Sequence, residues 1–388
     1  MRVGRRDETR ATLRRVLLAA TVFALGVLSI LWAARYPERI FAGDPPVYRL
    51  RVEEIFRSGL PYLDVPFEHL PVAIVPMLIA WWTGGAASQS TYVVAFAAQM
   101  TMCMAVITAL IDRTGELLNR PGSGTRWLLL SIPLLPVVVF RNDPFSVLLA
   151  VLALAMVVFD RRGWWIPAVL GAFTKIWPAS LAATRWRTQP IVSAGVGAVG
   201  VAAVALTFLP GFAERRNAIG IHAETVMGSV IGLRRAMGDG DVGVILTTAA
   251  YLEVGGWAVV VNALVGLGVF VAGLIAMTRA TSMPDRLVCL GTVVAGVILT
   301  SGLFSIQYVL WLLPFIALDR RRSTLVMGGV LALVSFWLTW IWSEAAIEGA
   351  LFYAGVTVRN VLVIAAAAMC AAPGVRPRTE RATTLIEN

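Results

Sequence analysis

Apolar segments of helical length alternate with short polar segments along nearly the whole chain. A helix needs about 20 apolar residues to cross a bilayer, and shorter apolar helices can complete a bundle. The segments are residues 16–34, 91–111, 127–140, 144–159, 191–209, 257–277, 287–301, 304–318, 325–342 and 351–371. This pattern predicts an all-α fold that crosses the membrane many times.

Residues 163–185 interrupt the alternation, because arginines bound this segment on both sides although it is about one span long. A single crossing would put the two arginine-rich ends on opposite faces. Lys175 and Pro178 lie in the middle, and a lysine in mid-membrane is costly. We therefore expect two short helices that meet near the outer face, with Lys175 at the turn. With these two, the sequence predicts about 12 transmembrane helices.

Composition agrees with a membrane protein, because 58% of the 388 residues are hydrophobic and only 14% are charged. The net charge of +10 comes from arginines in the joints between apolar segments. Such joints face the cytoplasm by the positive-inside rule. Basic and aromatic residues do not alternate in a way that suits base stacking, so we exclude a nucleic-acid-binding protein.

These assignments define the expected organisation. A basic cytoplasmic tail covers residues 1–15, and a second cytoplasmic tail covers 373–388. The integral membrane domain covers 16–372, with large outer loops at 35–90 and 210–255.

Both outer loops also contain apolar stretches too short to cross the membrane. Residues 72–82 and 242–252 are expected to form short helices that lie on the outer face.

The first outer loop contains the most polar long segment outside the tails, and three of its residues are candidates for chemistry. Asp44 directly precedes Pro-Pro, which is a common helix start, so it could cap a helix or act as a general base. Glu68 and His69 could form an acid–imidazole pair or simply a polar loop contact.

Other polar residues are expected at the same face. Asn142 and Asp143 precede a proline and could cap the next helix. Lys175 is a functional candidate, because an embedded lysine needs an anionic partner. His222 and Glu224 lie in the second loop, but two histidines so far apart in sequence are weak evidence for zinc. The cysteines, all within apolar segments, are expected to be small core residues and not ligands or disulfides: Cys103, Cys289 and Cys370.

Short motifs in these regions resemble those of GT-C glycosyltransferases. The motifs are G-D-x(3)-Y, S-G-L-P-Y and F-x-x-x-P in the first loop, then K-x-x-P and S-x-Q-Y-x-x-W-x-x-P. They fall on Asp44, Tyr48, residues 58–62 and 67–71, Lys175, Pro178, Ser305, Gln307, Tyr308, Trp311 and Pro314. The order of the motifs is most similar to actinobacterial mannosyltransferases that use polyprenol-phosphate-mannose.

Two segments depart from that family's pattern. Residues 68–71 read E-H-L-P where family members often have an aromatic residue before Pro-Pro. Residues 222–225 read H-A-E-T where R-x-x-Q-x-E-S is common. Both segments fall where sugar and acceptor would bind.

The resemblance implies transfer of a sugar, mannose in the family, from a polyprenyl-phosphate donor to a lipid or glycan acceptor, with inversion. Asp44 would be the general base, and Glu68 is the second catalytic candidate. Substrate contacts are expected from Tyr48, Tyr62, His69, Asn142, Asp143, Lys175, His222, Glu224, Gln307 and Tyr308. No cofactor and no metal ion are expected. The site would lie on the extracytoplasmic side of the cell membrane, in contact with membrane lipids.

A transporter or flippase of lipid-linked sugars is the alternative. It would explain the apolar segments and the embedded lysine, but not two large polar outer loops. A transporter should also show acids or broken helices near the midplane. A scaffold without activity is a third possibility.

Overall fold

A computed structural model of the protein describes residues 2–35, 44–208, 220–239, 242–246, 250–302, 304–341 and 349–372. The α-helices are α1 (Arg2–Arg35), α2 (Asp44–Ser58), α3 (Ile74–Ala80), α4 (Gln89–Leu117), α5 (Ser123–Ser131), α6 (Leu135–Val138), α7 (Asp143–Val158), α8 (Trp165–Ala172), α9 (Ala182–Arg185), α10 (Pro190–Leu206), α11 (Val226–Ala236), α12 (Gly256–Arg279), α13 (Met283–Thr300), α14 (Leu313–Leu318), α15 (Arg322–Ile341) and α16 (Ala350–Ala371). Short 3-10 helices cover Pro71–Ala73, Ile132–Leu134, Arg162–Trp164, Trp177–Leu181 and Ile306–Trp311, and a π-helical turn covers Trp81–Gly85.

Six helices in the described part are long and apolar enough to cross a membrane: α1 from Glu8 onward, α4, α12, α13, α15 and α16. Shorter apolar helical segments lie at Pro71–Gly85, Ser123–Val138, Asp143–Val158, Pro190–Leu206 and Ile306–Leu318. The chain is therefore a helical protein with the character of a membrane protein. The count of about 12 crossings stays a prediction, because five of the apolar segments are shorter than a full span.

The expected hairpin at residues 163–185 is confirmed. Its two legs are α8 and the segment from Trp177 to Arg185, and the chain reverses around Lys175. The legs pack closely, since a Cβ on Gly171 would lie 2.9 Å from the Pro178 ring. Arg185 returns to the starting end, where it pairs with Asp160 at 2.7 Å.

The helix expected at residues 242–252 is wrong, because this segment contains two strands. Strands β1 (Ile221–His222), β2 (Val244–Leu246) and β3 (Ala250–Leu252) form an antiparallel sheet in the order β1-β3-β2. The β-branched residues Val244 and Ile245 favour an extended backbone over a helix, and each of the two strands has only three residues. The all-α expectation is corrected accordingly: a small sheet accompanies the helices. Residues 72–82 are helical as expected, and their place at the outer face stays a prediction.

One end of the bundle is held together by arginines, and we call it the arginine end. Arg120 donates to the Leu318 carbonyl at 2.6 Å, and Arg126 donates to the Ala317 carbonyl at 2.7 Å. Arg185 binds the Val157 carbonyl at 2.5 Å, and Arg321 binds those of Met369 and Ala372. These carbonyls lie at helix C-termini, which have no partner within their own helix.

The opposite end, which we call the site end, contains Asp44, Arg141 and the Lys175 turn. Helix α4 has 29 residues and is about 43 Å long, whereas α7, with 16 residues, is about 24 Å long. The Tyr48 ring packs against Phe96, 5.2 Å away between centroids, and Phe96 lies about 10 Å along α4 from its start. The Tyr48 ring therefore contacts α4 about two turns from its start.

Candidate active site

Asp44 is the first residue of α2, and both of its carboxylate oxygens are engaged. The Tyr48 hydroxyl, one helical turn later, donates to Oδ2 at 2.9 Å. The Arg141 guanidinium forms an ion pair with Oδ1. The side chain keeps 31% of its surface exposed, so a substrate hydroxyl can still approach it. A general base here would exchange one of these two partners for the substrate.

Tyr48 acts as a hydrogen-bond donor in this arrangement. Burial raises the pKa of its phenol well above the usual range, and the nearby charge of Asp143 adds to the effect. The hydroxyl therefore stays protonated at neutral pH. It holds the Asp44 carboxylate in place and does not compete with it for a proton.

Arg141 lies in the short connection between α6 and α7 and provides the central positive charge. Burial lowers its pKa to about 10, opposed by the charges of Asp143 and Glu224 and by Tyr308. The guanidinium is therefore charged at neutral pH. Its Nε is buried without a hydrogen-bond partner in the described structure. Arg141 thus joins the first outer loop to the start of α7.

Asn142 and Asp143 contact other elements and do not cap their own helix. Asn142 occupies the N-cap position of α7 without a capping hydrogen bond from its side chain. It donates to the Ala73 carbonyl at 2.9 Å. Asp143 accepts a hydrogen bond of 2.7 Å from the Trp311 indole. These contacts fix the first loop and the Trp311 ring around the start of α7.

Lys175 projects from the hairpin turn over two aromatic rings. Its ammonium lies 5.1 Å from the centre of the Tyr308 ring and 5.9 Å from that of Trp311. These rings stack on each other at 4.1 Å, and Trp177 stacks on Trp311 at 5.8 Å. Among the described residues, no carboxylate lies within ion-pair distance of the ammonium. The half-buried cation is thus held by ring faces, which attract positive charge without neutralising it.

The turn is also tied to the first loop, because the Val72 amide donates to the Phe173 carbonyl at 2.9 Å. Gln307 precedes Tyr308 on the short 3-10 helix, and its side chain is half-buried. Within the described part of the chain, the side-chain amide of Gln307 has no hydrogen-bond partner. It is therefore free to bind a ligand at the same face as Lys175.

Glu68 belongs to an ion-pair cluster in the first outer loop. Both of its oxygens accept from Arg51 Nε, at 2.9 and 3.0 Å, and the same arginine pairs with Glu54 at 3.1 Å. His69 Nε2 lies 3.9 Å from the Glu68 carboxylate, and the His69 ring packs edge-on against Tyr48. The arrangement gives Glu68 a stabilising role toward Arg51, and its catalytic role stays a prediction.

Tyr62 helps to shape the first loop. Its hydroxyl donates to the His69 carbonyl, and its ring packs against Phe67. Tyr62 also has a left-handed backbone conformation, with φ of 70°. It therefore closes the loop that presents His69 to Tyr48.

His222 and Glu224 are buried in the second outer loop. The Glu224 carboxylate binds Arg359 Nη1 at 2.5 Å, and the Glu224 carbonyl accepts from Arg359 Nη2 at 2.6 Å. Burial raises the pKa of Glu224, although Arg359 and Arg141 oppose the shift. Burial and the Arg359 charge lower the pKa of His222 to about 3. His222 is therefore neutral at physiological pH, and its Nδ1 accepts from the Glu224 amide at 3.3 Å.

Arg141 and Tyr48 thus hold Asp44 in the first loop, and Arg359 links Glu224 of the second loop to the row of rings that includes Tyr308. Arg141 and Arg359 were not selected from the sequence. Arg359 had a usable signal, because it is the one charged residue in the last apolar segment. Arg141 directly precedes Asn-Asp-Pro at a helix start, but its pairing with Asp44 depends on tertiary contacts.

Metal binding has no visible site in the described residues. They contain no group of three or more His, Cys, Asp or Glu side chains placed to hold an ion. All three cysteines are buried free thiols.

The chain matches no protein-family model and no curated protein. The resemblance to glycosyltransferases therefore rests on this chain's own motifs and on the site just described.

Proposed function

We propose that this protein is a membrane glycosyltransferase that moves a sugar, mannose by the resemblance, from a polyprenyl-phosphate donor to a lipid or glycan hydroxyl. The observation that carries the proposal is an accessible carboxylate, Asp44, paired with the cation Arg141. Two residues after Arg141, Asp143 binds the indole of Trp311, and a second cation, Lys175, lies over the stacked Tyr308 and Trp311 rings. This arrangement suits a reaction in which a hydroxyl loses a proton while a phosphate leaves.

The reaction consists of one proton transfer and, at the anomeric carbon, one bond formed and one bond broken. Asp44 accepts the proton of the acceptor hydroxyl, and the acceptor oxygen forms a bond to the anomeric carbon of the sugar. The bond from that carbon to the phosphate oxygen breaks, and its electron pair leaves with the polyprenyl phosphate. Attack from the face opposite the phosphate inverts the anomeric centre.

The two cations stabilise the charge that develops on the leaving phosphate. Fixed positive groups aimed at a developing anion lower the barrier without reorganising during the reaction. Arg141 offers a planar fork of donors, whereas Lys175 offers a compact charge on a flexible stem. The aromatic faces of Tyr308 and Trp311 keep the lysine in place while leaving its charge available.

The location of the site at one end of the helix bundle suits a lipid-linked donor. A polyprenyl chain lies among lipid tails, and its phosphate lies near the membrane surface. Most joint arginines lie at the opposite end, so the positive-inside rule assigns the site end to the extracytoplasmic face.

A direct test uses the purified protein in lipid vesicles with radiolabelled polyprenyl-phosphate-mannose and a cell-envelope lipid extract as acceptor. We expect labelled product and release of polyprenyl phosphate. The matched control for the variant Asp44→Asn is Asp239→Asn, which removes an exposed carboxylate at the site end. Absence of product with mannose, glucose and pentose donors would reject the proposal.

Transport of lipid-linked sugars is the second candidate, and the hairpin at residues 163–185 favours it. Discontinuous helices are a common feature of transporter binding sites. The two functions give different results in sealed vesicles. A transporter moves intact donor across the bilayer, whereas a glycosyltransferase cleaves the donor on one side.

A further inference from the structure

The S-G-L-P-Y motif of the first outer loop folds into a tight turn that presents two leucines, and we call residues 60–63 the leucine tip. Leu60 is 62% exposed and Leu63 is 80% exposed. The end of this otherwise polar loop is therefore apolar.

The shape of the turn is enforced by its own residues. Gly59 has φ of 116°, and a Cβ at this position would clash with the Asp64 carboxylate. Tyr62 has φ of 70°, a conformation that is costly for a residue other than glycine. Its hydroxyl donates to the His69 carbonyl and so holds it there. Because such a backbone persists only where its surroundings enforce it, the exposure of the two leucines is a built feature of the loop.

The backbone of the turn forms its hydrogen bonds within the turn. The Leu60 amide donates to the Asp64 carboxylate at 2.8 Å, and the amides of Asp64 and Val65 donate to the Leu60 carbonyl at 2.9 and 3.2 Å. The Tyr62 amide donates to the Val65 carbonyl at 2.8 Å, and Pro61 has no N–H group. Backbone groups without a partner are costly in hydrocarbon, because no water is present to bind them. A turn closed in this way suits apolar surroundings.

Tyr62 fixes the depth of the tip, because it packs against the cluster of Leu70 and Ala203. Ala203 lies in the last turn of α10, a helix of 17 residues that is about 25 Å long. The hydrocarbon core of a bilayer is about 30 Å thick, so α10 ends at or inside its boundary. The surface of α10 beside Ala203 is also apolar, with Val201 70% exposed and Val204 41% exposed. The tip therefore continues a surface that lipid covers.

We infer that the leucine tip is inserted into the hydrocarbon of the leaflet at the site end and anchors the first outer loop there. Charged groups lie at the base of the turn and not at its tip. Arg57 is 78% exposed, and the Asp64 carboxylate lies beside Gly59. Both can stay among headgroups and in water while the leucines enter the hydrocarbon, as in other interfacial segments.

The anchor lies beside the hairpin that carries Lys175. Phe173 and Ile176, on either side of that lysine, pack against the same cluster as Tyr62. Contact with lipid and placement of the hairpin are therefore linked through one set of side chains. The contact would serve a transferase and a transporter equally, because it depends only on the tip and on lipid.

The test places nitroxide spin labels on single introduced cysteines of the full-length protein in nanodiscs of phosphatidylcholine and phosphatidylglycerol. Leu60→Cys and Leu63→Cys report on the tip. Leu267→Cys, at a 50% exposed position in the middle of α12, is the reference in lipid. Asp239→Cys, at a 62% exposed position, is the reference in water. The native thiols are buried.

For each label, collisions with oxygen, which enters hydrocarbon, are compared with collisions with a polar nickel chelate, which does not. We expect the ratio of oxygen to nickel collisions at both tip positions to exceed that at Asp239→Cys about tenfold or more, because a polar solute is costly to transfer into hydrocarbon. A ratio equal to that at Asp239→Cys places the tip in water and overturns the inference. Labels shielded from both reagents show a tip covered by protein, which overturns it as well.

A second pair of variants tests whether the leucines themselves hold the tip in lipid. In Leu60→Asp/Leu63→Cys, a charge opposes insertion, and we expect the ratio to fall about threefold or more. The matched control Leu60→Ala/Leu63→Cys keeps the tip apolar and should retain the ratio of Leu63→Cys. A ratio that stays high with aspartate would show that the scaffold alone sets the depth, and it would overturn the anchoring role.

Discussion

At the scale of single residues, the candidate site combines groups whose charges are fixed by burial and by one another. Among the described residues, Asp44 has one hydroxyl and one guanidinium as partners, Lys175 lies against ring faces, and His222 is neutral. Each of these environments has a measurable consequence.

Asp44→Asn separates catalysis from helix initiation. Asn suits a helix start nearly as well as Asp, but it cannot accept the proton. We expect turnover to fall by roughly 10² or more. Thermal stability in the same detergent should fall only modestly, because Asn can still accept from Tyr48 although the ion pair with Arg141 is lost. Asp239→Asn, the exposed control, should retain full turnover. An Asp44→Asn enzyme with near-wild-type turnover would leave Glu68 as the next candidate base.

Lys175→Ala should weaken donor binding, because it removes one of the two cations proposed to hold the phosphate. Lys175→Arg should restore binding only in part, since a planar fork differs from a compact charge. Arg57→Ala is the control, because Arg57 is a 78% exposed cation at the site end. Donor KM and the yield of folded protein would be measured together. Unchanged donor KM in Lys175→Ala would remove Lys175 from the site.

His222 makes stability depend on pH. Its pKa is about 3 in the folded state and 6.5 in an unperturbed chain, so between these values the unfolded state binds the extra proton. Stability should therefore fall as the pH decreases from about 6.5 toward 3. The raised pKa of Glu224 has the opposite effect on the pH dependence of stability. Glu224 is present in both wild type and the variant His222→Asn, so this effect is common to the two proteins. His222→Asn should lose less stability than wild type between pH 7.5 and 4.5 in detergent unfolding experiments. An equal loss would contradict the assignment.

At the scale of elements, the periodic segments were predictable, because an apolar helix in a bilayer satisfies its own backbone hydrogen bonds. The hairpin around Lys175 was also predictable from its flanking arginines. The sheet was not: β1 pairs with β3 at positions 29 and 31 residues apart, and short strands without a long alternating pattern give no local signal. The Arg141–Asp44 pair was missed for the same reason, since it joins distant positions.

Gly171→Ala tests whether hairpin packing places Lys175. The added Cβ would lie 2.9 Å from the Pro178 ring, so the two legs must separate. Overpacking of this kind typically costs about 1–3 kcal/mol. We expect a lower Tm and weaker donor binding. Gly197→Ala in α10 is the matched control, because a Cβ there meets no atom within 4 Å. Equal behaviour of the two variants would show that the hairpin tolerates the change.

At the scale of the whole molecule, the arginine end and the site end divide the chain into two chemical halves. Cysteines introduced near Gly59 and Gly220 should react with a membrane-impermeant reagent from outside, whereas those near Arg161 and Arg321 should not. The native thiols are buried and give little background. Labelling near Arg161 from outside would invert the proposed orientation and move the active site to the cytoplasm.

The carbonyl-binding arginines have a consequence for how the protein is made. During insertion only their charge matters, and lysine would serve as well. Once the helices have met, Arg126 and Arg185 terminate neighbouring helices through directed N–H groups, which a lysine cannot reproduce with the same geometry. These side chains therefore act twice during biogenesis. Their charge first sets the orientation of the helices in the membrane, and their N–H groups later hold neighbouring helix ends together. An arginine-to-lysine exchange would yield chains that are inserted correctly yet assembled loosely.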